Sequence, residues 1–173
     1  MIKNSIKLLM KFLPIHFIIV FVLSGLLFYH IFKNIKARNA ILIIWGFVFV
    51  SLYGSLKFSI FTVILSLIIY GLCKLIAIID NKILKKFLLS IGIIFSLGIL
   101  SLFKYPILKN QLPLSLQVKA LGISYFTFKF IHVLIDTNRG RIKSIDCFTF
   151  MSFILFFPTF SAGPIGRYGS FER

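Results

Sequence analysis

From Ala40 to Ile79 the chain runs forty residues without an acidic side chain, split by Lys57 into two apolar stretches, Ala40–Leu56 and Phe58–Ile79. One continuous helix of that length would measure about 60 Å, twice the ~30 Å hydrocarbon core of a bilayer. The chain must therefore turn near Tyr53–Ser59, where Gly54, Ser55 and Lys57 cluster, and a tight helical hairpin is predicted. Four further apolar runs, Leu13–Phe32, Leu88–Phe103, Ala120–Ile135 and Phe148–Ala162, flank it. The pattern reads as an all-α, polytopic membrane protein of about five to six hydrophobic helices. The last run contains Pro158 and ends at Gly163–Pro164, so a broken or re-entrant helix is expected there. Lys3, Lys7 and Lys11 precede the first run, as in a secretory signal. Its length of about 20 residues and the lack of a small-x-small site after it predict a retained span instead.

Composition closes off other classes. Hydrophobic residues make up 59% of the 173 positions, 22 of them Phe, which excludes both an ordinary soluble domain and a disordered chain. Twenty Lys and Arg stand against four acids, Asp80, Asp136, Asp146 and Glu172, for a net charge of +16. The basic residues punctuate the apolar runs and form no stripe interleaved with aromatics, which points to anionic membrane lipid as their partner and away from nucleic acid. Lys33–Asn39 reads as a polar turn, Asp80–Phe87 as a charged loop, Lys104–Lys119 with Pro106 and Pro113 as a loop, and Asp136–Asp146 as polar. If all six runs cross, nine basic residues fall on each side, so the charge rule for orientation is silent. That tie suggests that one run, the last, does not cross fully.

Few residues promise chemistry. Lys129, His132 and Asp136 lie at spacings of three and four inside an apolar run and share one helix face. Ionisable groups at membrane depth face a partner or a cavity, so this face is either mutually paired and packed or the lining of a polar path. Asp136 and Arg139, three apart at the end of that run, read as an interfacial pair. His16 and His30 sit at the ends of the first run, at headgroup level. Cys73 and Cys147 have no metal-ligand spacing, and packing accounts for both. Gly163, Gly166 and Gly169 lack the strand and the Lys-Ser/Thr of a phosphate cradle, and no metal or cofactor is expected. The small pairs Ser51/Ser55 and Gly92/Ser96 predict close helix approach. Pro158 and Gly163–Pro164 leave irregular backbone that membrane depth tolerates only inside protein or beside a water-filled cavity. Arg167 follows as a permanent charge, either on the wall of such a chamber or at the headgroups.

Two blocks carry a resemblance. Leu121–Gly140, LGISYFTFKFIHVLIDTNRG, and Phe153–Phe171, FILFFPTFSAGPIGRYGSF, occur in this order about 30 residues apart. Together they resemble the membrane-bound O-acyltransferase family, and within it the branch that esterifies teichoic acids with D-alanine. The alginate-type polysaccharide O-acetyltransferases share similar blocks. The resemblance implies a bacterial cytoplasmic-membrane, multi-pass protein of cell-wall biogenesis. An acyl-carrier protein would be the donor, and teichoic acid or another polymer would supply the acceptor hydroxyl. It also implies that the family's essential histidine lies in a later apolar helix, beyond the second block. None of His16, His30 and His132 takes that place, so no catalytic residue is expected within residues 1–173. The expectation is the N-terminal transmembrane part of such an enzyme, truncated and inactive alone, with Lys129, His132, Asp136, Pro158, Gly163, Pro164 and Arg167 as chamber or motif residues. A non-catalytic membrane scaffold is the alternative from another class.

Overall fold

The computed structural model describes residues 34–53, 55–105, 122–142, 144–156 and 168–171, with isolated positions between 23 and 32. Among the described residues every regular element is a helix: α1 (Ile35–Tyr53), α2 (Leu56–Ile78), α3 (Lys82–Lys104), α4 (Ile123–Asn138), α5 (Cys147–Leu155) and the single turn α6 (Tyr168–Phe171). Two of them, α2 and α3, are long and apolar enough to cross a membrane. The run Leu13–Phe32 and the loop Lys104–Lys119 lie largely outside the described residues.

Side-chain caps set the helix starts, and they correct two expected loops. Asn34 Oδ1 accepts the Lys36 N–H at 3.0 Å, so helix begins inside the segment expected to be a polar turn. Asn81 Oδ1 accepts from Ile83 N at 2.9 Å and Leu84 N at 3.4 Å. The charged stretch after Asp80 is therefore the first turns of α3, and only residues 79–81 interrupt the helices. Lysine is a good helix former, and a run of charge marks solvent without breaking the backbone pattern. The predicted hairpin is present. α1 ends at Tyr53, and Ser55 caps α2 by accepting from Phe58 N at 3.1 Å. Ser51 and Ser59 join the two arms, with hydroxyls 2.8 Å apart.

α4 extends to Asn138, three residues beyond the apolar run, and ends in a glycine-dependent motif. Gly140 takes φ +71, its N–H bonds the Thr137 carbonyl, and the Arg141 N–H bonds the Asp136 carbonyl, both at 3.0 Å. These are the two reversed bonds of a Schellman ending, and a left-handed residue there favours glycine.

The helices enclose an apolar core that includes Phe58, Ile69, Phe126 and Phe150, yet α2 and α3 also present large apolar side chains outward. α3 buries Gly92, Ser96 and Phe103, whereas Ile83, Phe87, Ile91, Ile94 and Leu97 face outward. The inner face of α2 includes Ser59, Thr62 and Ser66, while Ile60, Ile64, Leu67 and Leu75 are exposed. Water would penalise such a surface, but in hydrocarbon small residues favour close helix approach and large apolar ones meet lipid at no cost. The expected role of Gly92/Ser96 is borne out: a Cβ at Gly92 would lie 2.8 Å from Leu134 Cδ1 of α4.

The contacts fix which helix ends lie together. Asn39, early in α1, donates to Thr149 of α5 at 3.2 Å, and the Tyr70 ring, late in α2, meets the Phe150 ring of α5 at 5.8 Å. At the opposite end, the Phe58 and Phe103 rings meet at 5.8 Å. α5 thus enters beside the N-terminus of α1 and the late part of α2. Its nine residues reach only about 13 Å inward. It stops against Gly46, in the middle of α1, where a Cβ would run into the Leu155 carbonyl oxygen and sit 2.8 Å from Leu155 Cβ.

Candidate functional site

α5 starts because Asp146 caps it: its Oδ2 accepts from Thr149 N at 2.9 Å and from the Thr149 hydroxyl at 3.0 Å. A carboxylate at the positive end of a helix dipole adds to that cap. The helix ends at Leu155, and Phe156 is already extended. Pro158 lies two residues farther on, and proline disfavours helix in the residue before it. The last carbonyls of α5 are left without intrahelical partners, inside the bundle.

Lys129 answers them. Its side chain leaves α4 at mid-length and is 1% exposed. Its Nζ donates to the Phe153 carbonyl at 2.6 Å and to the Ile154 carbonyl at 3.3 Å. The Tyr125 and Phe153 rings lie 4.7 and 4.8 Å from the same nitrogen, within cation–π range. The end of α5 is therefore gripped from two sides, by a glycine on α1 and a lysine on α4.

His132 and Asp136 form a separate group. His132 Nε2 lies 3.3 Å from Asp136 Oδ2, and the other carboxylate oxygen accepts from Arg141 at 3.0 Å. His132 Nδ1 is shielded and without a hydrogen-bond partner among the described residues, so Asp136 is the imidazole's polar contact. The expected partner Arg139 is replaced by Arg141. The Schellman turn sets Asp136, three residues before the capping Arg139, beside Arg141, two residues after it, a pairing that is commonly hydrophobic and is here ionic. The three residues expected on one face thus divide: His132 and Asp136 come together near the helix end, and Lys129 turns to α5.

Pro158, Gly163, Pro164 and Arg167 lie outside the described residues. Their flanks are informative. A straight helix running on from Phe153 would carry Tyr168 about 22 Å away. Instead the two rings are 5.5 Å apart and edge to face, and Phe171 meets both Phe153 and Phe156 at 5.5 Å. His30 is an exposed helical position, and His16 is not among the described residues. Both cysteines are free and far apart in role: Cys73 is fully buried in α2, while Cys147 is half-buried at the start of α5. Partial burial and the neighbouring Asp146 push the Cys147 thiol up, against a smaller opposing effect of Lys74. No group of His, Cys, Asp and Glu that could hold a metal occurs among the described residues.

Sequence reasoning missed Gly46 and Arg141. A lone glycine in an apolar run was the signal for the first, and the Arg-Gly-Arg after Asn138 was the signal for the second.

Comparison with known proteins supplies names for part of the chain. It is 47% identical over 53 residues to a teichoic acid D-alanyltransferase of Lacticaseibacillus rhamnosus, a match covering 31% of this chain and 13% of that protein. It is 42% identical over 53 residues to that of Streptococcus thermophilus, and 42% identical over 57 residues to that of Bacillus subtilis. The matches cover only 13 to 14% of the length of these relatives. No family model and no solved structure matches. Over about a third of its length, then, this helical chain is similar to the teichoic acid D-alanyltransferases, as the two sequence blocks led one to expect.

Proposed function

We propose that this chain forms the N-terminal membrane bundle of an O-acyltransferase that transfers D-alanine to teichoic acid, as a multi-pass protein of the bacterial cytoplasmic membrane. The similarity to three teichoic acid D-alanyltransferases carries the reading. Two further observations support it. The outward-facing apolar side chains of α2 and α3 suit lipid. A helix that ends inside the bundle is tolerated at membrane depth only where protein or a water-filled cavity receives its backbone.

On this reading the acyl group arrives as a thioester on an acyl-carrier protein. A hydroxyl of the acceptor polymer attacks the carbonyl carbon, the thiol leaves, and a base takes the hydroxyl proton. A histidine suits that task, and the resemblance implies that the family's own lies C-terminal to the second block. Residues 1–173 supply the frame. Pro158, Gly163 and Pro164 shape the chamber wall, and Arg167 orders the loop or faces an anionic substrate. His132 and Asp136 pair near the end of α4, where Arg141 ties off the carboxylate.

The test is a chimera in which this chain replaces the corresponding N-terminal segment of the Bacillus subtilis D-alanyltransferase, in cells lacking their own. Restored alkali-labile D-alanine on teichoic acid is the expected result. A chimera that inserts but forms no ester overturns the reading in favour of a scaffold, and acetyl ester in place of D-alanine moves it to the O-acetylating branch. In the active chimera, Arg167→Ala lowers D-alanine incorporation at least about tenfold with insertion unchanged, the loss expected for one charged contact.

A further inference from the structure

We infer that Lys129 is a tethered cation that seats the carbonyl end of α5, and so acts as a positioning residue for the chamber wall that follows; the last clause rests on the transferase reading. A helix that stops inside a bundle leaves carbonyls unpaired and a partial negative charge at its end. Half-helices in membrane proteins hold bound cations at such ends. Here the cation is covalently attached. The Lys129 ammonium meets the Phe153 and Ile154 carbonyls and two aromatic faces. Among the described residues no carboxylate pairs with it. Asp136 is engaged by His132 and Arg141, and Asp146 caps the opposite end of α5. Among the described groups, the negative end that faces the ammonium is thus the helix end itself.

The arrangement also explains how so short a helix keeps its place. α4 is packed against α2 and α3, with Gly92 of α3 on Leu134, so it is a fixed reference. Lys129 transfers that reference to α5, and Gly46 lets the Leu155 backbone approach from the other side. Removing the cation leaves the two carbonyls without their Lys129 donor and frees the point from which the Pro158 segment departs.

Chemical rescue tests this. Lys129→Ala deletes three carbons and the ammonium, and propylamine restores both. In the 173-residue chain in lipid nanodiscs, Lys129→Ala is expected to lower the unfolding temperature. Propylamine restores it saturably, and 1-propanol, which fills the same space without charge, does not. Equal rescue by propanol, or a Lys129→Met chain as stable as the parent, overturns the proposal, since a neutral donor in the first case, or volume alone in the second, would then suffice. Should Lys129→Ala fail to accumulate, the stability of Lys129→Met decides the matter, methionine being of similar length and lacking a donor. In the chimera, Lys129→Met is expected to lower kcat at least about tenfold with KM unchanged, the signature of a misplaced wall. Amine rescue of the chain beside an inactive parent chimera sinks the transferase reading alone, and an active chimera without amine rescue sinks only the role of Lys129.

Discussion

α3 and α4 lie against each other and are built on opposite plans. α3 is the longer and more apolar, and it turns most of its large side chains outward, burying Gly92, Ser96 and, at its end, Phe103. α4 is shorter, and it buries Lys129, Asp136, Thr127 and Thr137 among Phe126, Phe130 and Val133. In water the more apolar helix would be the inner one. Here the order is reversed, as expected where the surrounding solvent is hydrocarbon and polar groups must find partners inside the protein. The polar residues of an apolar run, not the apolar ones, therefore mark which face is interior.

The comparison breaks most sharply across from Lys129, at Gly46. Gly46→Leu puts a branched side chain onto the Leu155 backbone, which cannot move aside as a side-chain tip can. We expect a loss of about 3 kcal/mol or more, at the upper end of overpacking costs. Denaturant titration of the chain in mixed micelles measures it, and a loss below about 1 kcal/mol would place α5 elsewhere. Next comes Asp136→Ala, which strips His132 and Arg141 of their shared carboxylate. A cost of about 1–3 kcal/mol is expected in the same titration. Arg139→Ala, by contrast, leaves stability within about 0.5 kcal/mol, since Arg141 is the partner that Asp136 uses.

Much of this plan is legible in the sequence. Apolar run lengths give the hairpin at Tyr53–Leu56, and small residues at a spacing of four mark the Gly92/Ser96 contact, because both are local consequences of helix geometry. Helix starts are misread where charge is taken for a loop. Asn34 and Asn81 decide those starts through a single side-chain oxygen each, and the lysines after them are content in a helix. The division of Lys129 from His132 and Asp136 is not legible at all. A shared helix face says which residues are neighbours, but the partner of Lys129 is a backbone carbonyl 24 residues away, and no sequence pattern encodes an unpaired carbonyl.

A milder change sharpens the seam between the two helices. Gly92→Ala places a methyl 2.8 Å from Leu134 Cδ1, the mobile tip of a side chain. Alanine's better helix propensity offsets part of the strain, leaving a net cost of about 1 kcal/mol or less. Paired with Leu134→Ala, it should show coupling of at least about 0.5 kcal/mol in a double-mutant cycle, and additivity would mean that α3 and α4 do not touch there.

The smallest effect belongs on the outer face, and its smallness is the point. Ile94 is 70% exposed, a position where a soluble core helix would place a charge. If α3 faces lipid, Ile94→Ala exchanges contacts with acyl chains for similar ones in both folded and unfolded states within the bilayer. Stability in nanodiscs should then shift by less than about 0.5 kcal/mol. Ile94→Lys at the same site tests the solvent directly, because an ammonium near mid-bilayer costs about 2.5–3.5 kcal/mol on insertion scales. A lysine there that leaves insertion and stability unchanged would mean that this face meets water or another protein, and α3 would lose its place as the outer helix.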